Sequence, residues 1–258
     1  LPATIRTALN GLVGKRTVVI HDAWTSRIPW ETLCLEERFP ALEDGMSRKY
    51  AAADLSVAKW LESRRRDGTL EILVVIDPTG DLPGAAEEGE GLVEALASIP
   101  RVATSTLRGR EADWQALSEA FRSGTYDAIH YAGHAYFDRG DPSKSGAICS
   151  DHRVLSGTDL AGMNHLPALV FFNACEAARI RKRPARAGGR SARDRIEQNV
   201  SLAEAFLRGG IANYVGTYWP VGDAGAKTFA EVFYSDLLKG APIGDALLAG
   251  RRAVFALG

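Results

Sequence analysis

The sequence predicts an α/β fold in which helices cover both faces of a mostly parallel central sheet. Short apolar runs rich in β-branched residues alternate with amphipathic stretches, which is the pattern of successive strand, helix and strand units. Gly, Pro, Asn or Asp stops each of the apolar runs. The 258 residues are 46% hydrophobic and 24% charged, a composition that supplies enough apolar material for a sizeable buried core.

Five apolar runs predict the strands. Thr17–Ile20 and Leu70–Ile76 are rich in Val and Ile, and an Asp-Pro pair follows the second run. The same reasoning applies to three later runs, in which the apolar residues again end at a turn-forming residue. These three predicted strands are Asp127–Ala132, Ala168–Phe172 and Ile211–Thr217.

Five stretches between and after these strands carry apolar residues at helical spacing. The predicted helices are 85–98, 110–122, 201–208, 223–239 and 242–255. Ser201 followed by Glu204 also has the form of a capping box at the start of the third helix. Right-handed crossovers between parallel strands then place the helices on both faces of the sheet.

One segment departs from the globular composition. Arg179–Arg195 contains eight Lys or Arg residues, one Asp and two adjacent glycines, with no apolar periodicity. Such a segment cannot offset the entropic cost of ordering by burying apolar surface. The sequence therefore predicts a flexible basic loop over residues 179–199.

Composition also limits the class of protein. A formal net charge of -1 gives no global attraction to nucleic acid or to a membrane. No apolar run approaches the roughly 20 residues of a membrane span, and the first residues lack the order of a secretion signal. The first residue is not Met, and the sequence ends abruptly at FALG, so we expect a fragment of a longer protein.

The three cysteines are Cys34, Cys149 and Cys175, and no two of them form a C-x-x-C pair. This spacing favours neither a disulfide framework nor a zinc site. The sequence thus predicts a reducing, cytoplasmic setting, with no metal and no cofactor.

Two predicted strands end in residues suited to chemistry. The run DAIHYAGHA leads into Gly133 and His134, and PALVFFNACEA leads into Asn173 and Cys175. Open α/β sheets gather their functional groups at the carboxyl ends of strands. If the two strands are neighbours, about 4.8 Å apart, the imidazole can reach the thiol, stabilise the thiolate and later protonate a leaving amine.

Simpler interpretations stay open for each of these residues when they are taken alone. A cysteine at the end of a strand is usually a small buried hydrophobe, and a lone histidine is usually structural. His130 lies inside a predicted strand, which favours a structural role. We interpret the remaining histidines, His21, His152 and His165, as ordinary polar positions, and Cys34 and Cys149 as packing residues.

Four motifs in a fixed order resemble the CHAT domain, a branch of the caspase, separase and gingipain clan of cysteine peptidases. They are GH at 133–134, NACEA at 173–177, AFLRGG at 205–210 and YWPVGD at 218–223. Each motif is weak alone, whereas their joint order and spacing are specific. The resemblance spans nearly the whole chain and implies a single peptidase domain over 1–258 with the caspase-like three-layer sandwich.

The resemblance implies a catalytic dyad of His134 and Cys175. It further implies that the backbone amides of Ala135 and Cys175 form the oxyanion hole. The family usually has Gly where this chain has Ala135. If that position required a positive φ, the alanine would strain or shift the hole.

The resemblance also implies a substrate site. Asn173 and Asp77 are expected to line the first specificity pocket, and the strand Val215–Trp219 is expected to pair along its edge with an extended peptide. Two alternatives remain: Asp77 precedes a proline and is also a good turn former, and Trp219 also suits a core. The predicted substrate-binding residues are Asp77, Asn173, Thr217, Tyr218 and Trp219.

The function implied by the resemblance is that of a cysteine endopeptidase that cleaves specific protein substrates. It is expected to be the effector half of a regulated prokaryotic system, controlled by an upstream regulatory domain or a sensor partner. One alternative is a catalytically silent interaction module, because a fold does not dictate a function. Another is nucleic-acid binding by Arg179–Arg195, which is disfavoured because no aromatic residues are interleaved there to stack on bases.

Overall fold

The structure is a computed structural model. It describes residues 2–22, 25–51, 68–138, 140–174, 202–217 and 222–258. The chain divides into two compact units, one formed by Leu1–Ala52 with Ala224–Gly258 and the other by Ala53–Asp223. The single domain expected over 1–258 stays a prediction.

The described residues form the following elements. The strands are β1 (Thr17–His21), β2 (Met46–Tyr50), β3 (Leu70–Ile76), β4 (Val102–Arg108), β5 (Ala128–Ala132), β6 (Ala135–Tyr136), β7 (Gly146–Ile148), β8 (Val154–Ser156), β9 (Leu169–Asn173) and β10 (Asn213–Gly216). The α-helices are α1 (Ala3–Asn10), α2 (Pro83–Ala97), α3 (Trp114–Arg122), α4 (Gly157–Leu160), α5 (202–209), α6 (Asp223–Leu238) and α7 (Ile243–Phe255).

The second unit is built around a five-stranded sheet in the order β10-β9-β5-β3-β4. Every neighbouring pair in this sheet is parallel. All five residues of β5 and all five of β9 are buried, as expected for strands covered on both faces. The predicted parallel sheet between helical layers is therefore confirmed.

Each face of this sheet has its own packing layer. Alternate residues of the strands, including Val75, Tyr131 and Phe172, pack with residues of α3 and α5 in one core cluster. Helix α2 packs on β3, β4 and β5. It comes so close to β3 that a side chain at Gly89 would lie 2.7 Å from Ile76.

Helix boundaries follow local signals. Helix α2 begins at Pro83, a residue suited to the first helical position because it needs no hydrogen-bonded N–H. The predicted helix 110–122 begins later, at Trp114, because the side chain of Asp113 accepts the backbone N–H of Ala116 at 2.8 Å and caps it. The predicted capping residue Ser201 lies outside the described residues.

The first unit contains the parallel pair β1 and β2 together with α1, α7 and most of α6. The predicted strand at Thr17 is thus present, but in the described structure it pairs with β2 and does not join the five-stranded sheet. Arg251 of α7 donates to the carbonyl oxygen of Met46 at 2.7 Å, and burial lowers the pKa of this guanidinium. None of the helices in the described part of the chain has the length and apolar character needed to cross a membrane.

Candidate functional site

The candidate site lies at the carboxyl ends of β3, β5 and β9. Strands β5 and β9 are adjacent, and Ala132 pairs with Asn173 at their ends. The backbone N–H of Gly133 continues the pairing by donating to the carbonyl oxygen of Asn173 at 3.2 Å. The two strands that precede His134 and Cys175 are therefore neighbours, as the predicted dyad requires. In the sequence, each of these residues follows the last paired residue of its strand by two positions.

Three of the predicted site residues lie outside the described residues. They are Cys175, Tyr218 and Trp219. The predicted basic loop at 179–199 also lies outside them. The contacts below therefore concern the histidine side of the predicted dyad and the residues that support it.

His134 is almost completely buried, with 2% of its surface exposed. Its Nε2 lies 2.9 Å from Oδ1 of Asp81, a residue of the loop that joins β3 to α2. Its Nδ1 is buried and has no hydrogen-bond partner among the residues that the structure describes. Of the two ring nitrogens, Nε2 thus has a hydrogen-bond partner, and Nδ1 has none among the described residues.

The loop that carries Asp81 is organised by Asp77. The carboxylate of Asp77 accepts the backbone N–H groups of Gly80 at 3.1 Å, Asp81 at 3.3 Å and Leu82 at 3.1 Å. Asp77 is buried and has a φ of 39°, in the left-handed region that Asp tolerates better than most residues. These contacts favour the turn-forming interpretation of Asp77, and its role in substrate binding stays a prediction.

Asp81 is fixed from two sides. The hydroxyl of Thr79 donates to its Oδ1 at 2.5 Å, and the imidazole of His134 lies beside the same oxygen. The hydrogen bond from Thr79, together with the neighbouring His134, lowers the pKa of the Asp81 carboxyl. Asp81 is therefore a carboxylate at neutral pH. Asp81 was not among the site residues predicted from the sequence, because it lies beyond the end of the strand within a loop and no motif marks it.

Tyr131 forms hydrogen bonds that hold the backbone of His134 in place. Its hydroxyl lies 2.6 Å from the carbonyl oxygen of His134 and 2.7 Å from that of Ile148, and it donates to this pair. Its ring stacks on Phe172 of β9, with ring centroids 4.6 Å apart and planes 10° apart. Burial raises the pKa of Tyr131 well above its ordinary value, so the hydroxyl stays a donor at every accessible pH.

Gly133 leaves room for this arrangement. A side chain at this position would place its Cβ 2.8 Å from the hydroxyl oxygen of Tyr131 and 2.9 Å from Cδ of Pro78. Both distances are shorter than a Cβ tolerates, and the hydroxyl of Tyr131 is held by its own hydrogen bonds, so glycine is the residue that fits between strand β5 and His134.

Ala135 begins the small antiparallel sheet β6-β7-β8. Its side chain is fully buried and its φ is negative, so the strain considered for an alanine here does not arise. The N–H of Ile148 donates to the carbonyl oxygen of His134, and Ala135 pairs with Ala147 next along the ladder. In an antiparallel ladder this alternation directs the N–H of Ala135 away from β7.

Glu88 of α2 forms side-chain hydrogen bonds with one residue on β5 and one on β9. Its Oε1 lies 3.0 Å from Nε2 of His130 on β5, and its Oε2 accepts the side-chain amide of Asn173 on β9 at 2.5 Å. All three residues are buried, and His130 stacks on Phe171, as expected for a structural histidine. The predicted role of Asn173 in substrate binding stays a prediction.

The predicted peptide-binding strand corresponds to β10, which forms one edge of the five-stranded sheet among the described residues. Thr217 follows β10 directly and is half-buried. The described residues hold no group of three or more His, Cys, Asp or Glu side chains arranged to bind a metal ion.

Two cysteines have described surroundings. Cys34 is exposed and Cys149 is buried. Burial raises the pKa of the Cys149 thiol to about 12. At neutral pH this thiol is therefore protonated and unreactive.

Cys149 is expected to resist alkylation in the folded protein. At pH 8 a thiol with a pKa of about 12 exposes only about one thiolate in 10⁴ molecules, and burial also blocks access. Iodoacetamide labelling followed by peptide mass spectrometry would check this, with guanidinium-unfolded protein as the control in which Cys149 reacts. Labelling of folded Cys149 as fast as exposed Cys34 would contradict it.

Comparison with known proteins places this geometry in a family. The chain is similar to a structure described as the Saccharomyces cerevisiae separase-securin complex, with a TM-score of 0.52 and 14% sequence identity. The match covers 93% of this chain and 14% of that chain. At this identity the likeness concerns the fold, and it confirms the predicted caspase-like α/β fold. No curated protein sequence matches the chain. The CHAT domain family model matches residues 1–256, and the chain therefore belongs to the CHAT domain family.

Proposed function

We propose that this chain is a cysteine endopeptidase that cleaves specific protein substrates through a dyad of His134 and Cys175. The observation that carries the proposal is the buried imidazole of His134, open at Nδ1, at the end of a strand whose neighbour leads directly into Cys175. Membership of the CHAT domain family supports the same assignment.

In the proposed reaction, the thiolate of Cys175 attacks the carbonyl carbon of the scissile peptide bond. His134 receives the thiol proton and passes it to the departing amine as the C–N bond breaks. This leaves the first part of the substrate bound to Cys175 as a thioester. The second part is released with a new amino terminus. Water then attacks the thioester carbonyl carbon and gives a proton to His134, the C–S bond breaks to release the carboxylic acid product, and His134 returns the proton to the sulfur of Cys175.

Charge that develops on the carbonyl oxygen needs hydrogen-bond donors. In the proposal these are the backbone N–H groups of Ala135 and Cys175. The direction of the Ala135 N–H, away from β7, supports its part in this hole. The buried methyl group of Ala135 does not interfere, because the amide alone is required.

The substrate is proposed to bind as an extended peptide along the edge of β10, with Thr217, Tyr218 and Trp219 at the adjoining positions. Asp77 and Asn173 are proposed as walls of the first specificity pocket. Hydrogen bonds hold both side chains in place, between Asp77 and the backbone of its loop and between Asn173 and Glu88. The negative charge of Asp77 should disfavour an acidic substrate residue.

We further propose that the chain is an effector whose activity is set by an upstream regulatory domain or by a protein partner, in a prokaryotic, cytoplasmic system. The separase match is to a complex with securin, which supports a protein partner.

The test is the reactivity of Cys175. Under pseudo-first-order conditions with iodoacetamide at pH 7, we expect Cys175 to be labelled at least tenfold faster than Cys34, and this advantage should disappear in His134→Ala. Equal rates that do not depend on His134 would contradict the dyad and favour the silent interaction module. Salt-dependent binding to nucleic acid would instead support the function considered for the basic segment.

A Tyr131→Phe variant is expected to be less stable and less active. Two buried carbonyl oxygens, of His134 and Ile148, lose their shared donor, which should reduce the free energy of unfolding by about 1–3 kcal/mol. Because the His134 backbone then shifts, kcat should fall more than KM rises. Denaturant unfolding and steady-state kinetics would measure both effects.

The matched control is Tyr136→Phe, which removes a half-buried hydroxyl that donates to Asp138 at 3.2 Å. It should change the free energy of unfolding by less than about 0.5 kcal/mol. Equal effects of the two substitutions would show that Tyr131 has no special part in holding the histidine.

A further inference from the structure

The orientation of the His134 ring is unusually well defined. Nε2 lies 2.9 Å from a carboxylate oxygen of Asp81, and Nδ1 is buried without a hydrogen-bond partner among the described residues. A neutral imidazole carries a proton on one nitrogen only. A carboxylate can accept a hydrogen bond and cannot donate one, so the nitrogen that faces it must carry the proton.

The carboxylate is itself held in place. Thr79 donates to Asp81 Oδ1, and Asp77 fixes the backbone of the loop by accepting three N–H groups. Both contacts are local to the loop that follows β3. The loop that follows β3 thus holds Asp81 in place beside His134, although the two residues are 53 positions apart in the sequence.

Stability does not account for the contact. The side chain of Asp81 is 60% exposed, whereas that of His134 is 3% exposed. An ion pair or hydrogen bond with one partner so exposed contributes little to the stability of the fold. A directional restraint on a buried ring is the effect that this geometry provides.

We infer that Asp81 is a positioning residue that fixes His134 as the Nε2–H tautomer, so that Nδ1 is the atom that exchanges a proton with Cys175. The exchange with Cys175 rests on the function proposed above, whereas the tautomer follows from the Asp81 contact alone. Asp81 is then the third side chain of the proposed site, and it acts through His134 by holding Nε2 of the ring.

Nitrogen-15 NMR of the full chain, labelled at histidine, tests the tautomer directly. His134→Gln identifies the His134 signals among those of the five histidines. At pH 8 the wild type should show a protonated Nε2 and an unprotonated Nδ1. In Asp81→Ala the two ring signals should move toward each other, as the tautomers mix, and Asp81→Glu should restore part of the separation.

Kinetics provide the second readout. Asp81→Ala should lower kcat by about tenfold to a hundredfold with a smaller change in KM, because Asp81 acts through the ring of His134. The control is Asp151→Asn, which removes an exposed carboxylate that accepts a hydrogen bond from the backbone N–H of Arg153. It should leave the His134 ring signals and kcat unchanged.

An Asp81→Ala protein with the wild-type His134 ring signals would overturn the inference. So would a wild type in which Nδ1 carries the proton. The NMR result does not depend on peptidase activity, so an inactive wild type with the expected tautomer would refute the proposed function and leave the role of Asp81 in fixing the ring supported.

Discussion

His134→Ala and Cys175→Ala should each abolish peptide cleavage while the protein stays folded. The nucleophile and its proton partner act as one unit, so losing either should cost on the order of 10⁴-fold or more in kcat, and the double variant should lose little beyond that. Cleavage of a peptide library by the purified proteins would measure the loss. Circular dichroism and thermal unfolding would show that the fold persists.

The remaining cysteines provide matched controls for this experiment. Cys34→Ala changes an exposed thiol and Cys149→Ala changes a buried thiol that is protonated at neutral pH. Both variants should retain activity close to that of the wild type. A Cys175→Ala protein that still cleaves at the wild-type rate would show that the nucleophile is another residue.

Glu88→Ala is expected to give the largest loss of stability among substitutions of described polar residues at the site. It removes a buried carboxylate that bonds to both His130 and Asn173, and it leaves two buried donors without that acceptor. We expect the free energy of unfolding to fall by about 3–5 kcal/mol. Urea unfolding followed by fluorescence would measure the change.

Glu94→Ala, on the exposed side of the same helix, is the control for helix propensity. It should change the free energy of unfolding by less than about 0.5 kcal/mol. Glu88→Gln keeps the shape and one acceptor, so its cost should lie between the two. A loss below about 1 kcal/mol for Glu88→Ala would mean that His130 and Asn173 find other partners.

The central strands were predictable because burial on both faces demands continuous apolar runs. Leu70–Ile76 and Ala128–Ala132 differ from the predicted bounds by at most one residue. Strand β4 was missed because its sequence, VATSTLR, places Thr, Ser and Thr in the middle of the strand and shows neither an apolar run nor a regular alternation. This composition suits an edge strand and gives no run that marks it in the sequence.

The pairing of β1 was not predictable for a different reason. Its run of Val and Ile indicates a strand, and the structure contains one. Its partner β2 has the sequence MSRKY, which carries no strand pattern. Which strands pair is decided by long-range packing, and local propensity does not carry that information.

The candidate site was predictable only in part. His134 stands in a motif at the end of an apolar strand, so the sequence identified it. Asp81, Tyr131 and Glu88 act through contacts with residues far along the chain or through atoms of the backbone, and no local pattern marks such contacts. For Asp77 the sequence left two roles open, and the hydrogen bonds of the loop favour the turn-forming one.

The order of the strands determines when the side chains of the candidate site come together during folding. Asp81 and His134 lie 53 residues apart, and they meet only after β5 has paired with β3. Cys175 follows β9, which adds to the other side of β5. Pairings between segments so far apart in the sequence form more slowly than local contacts, and a chain synthesised only as far as β3 lacks His134 altogether. The contact between Asp81 and His134 therefore reports that β3 and β5 have paired.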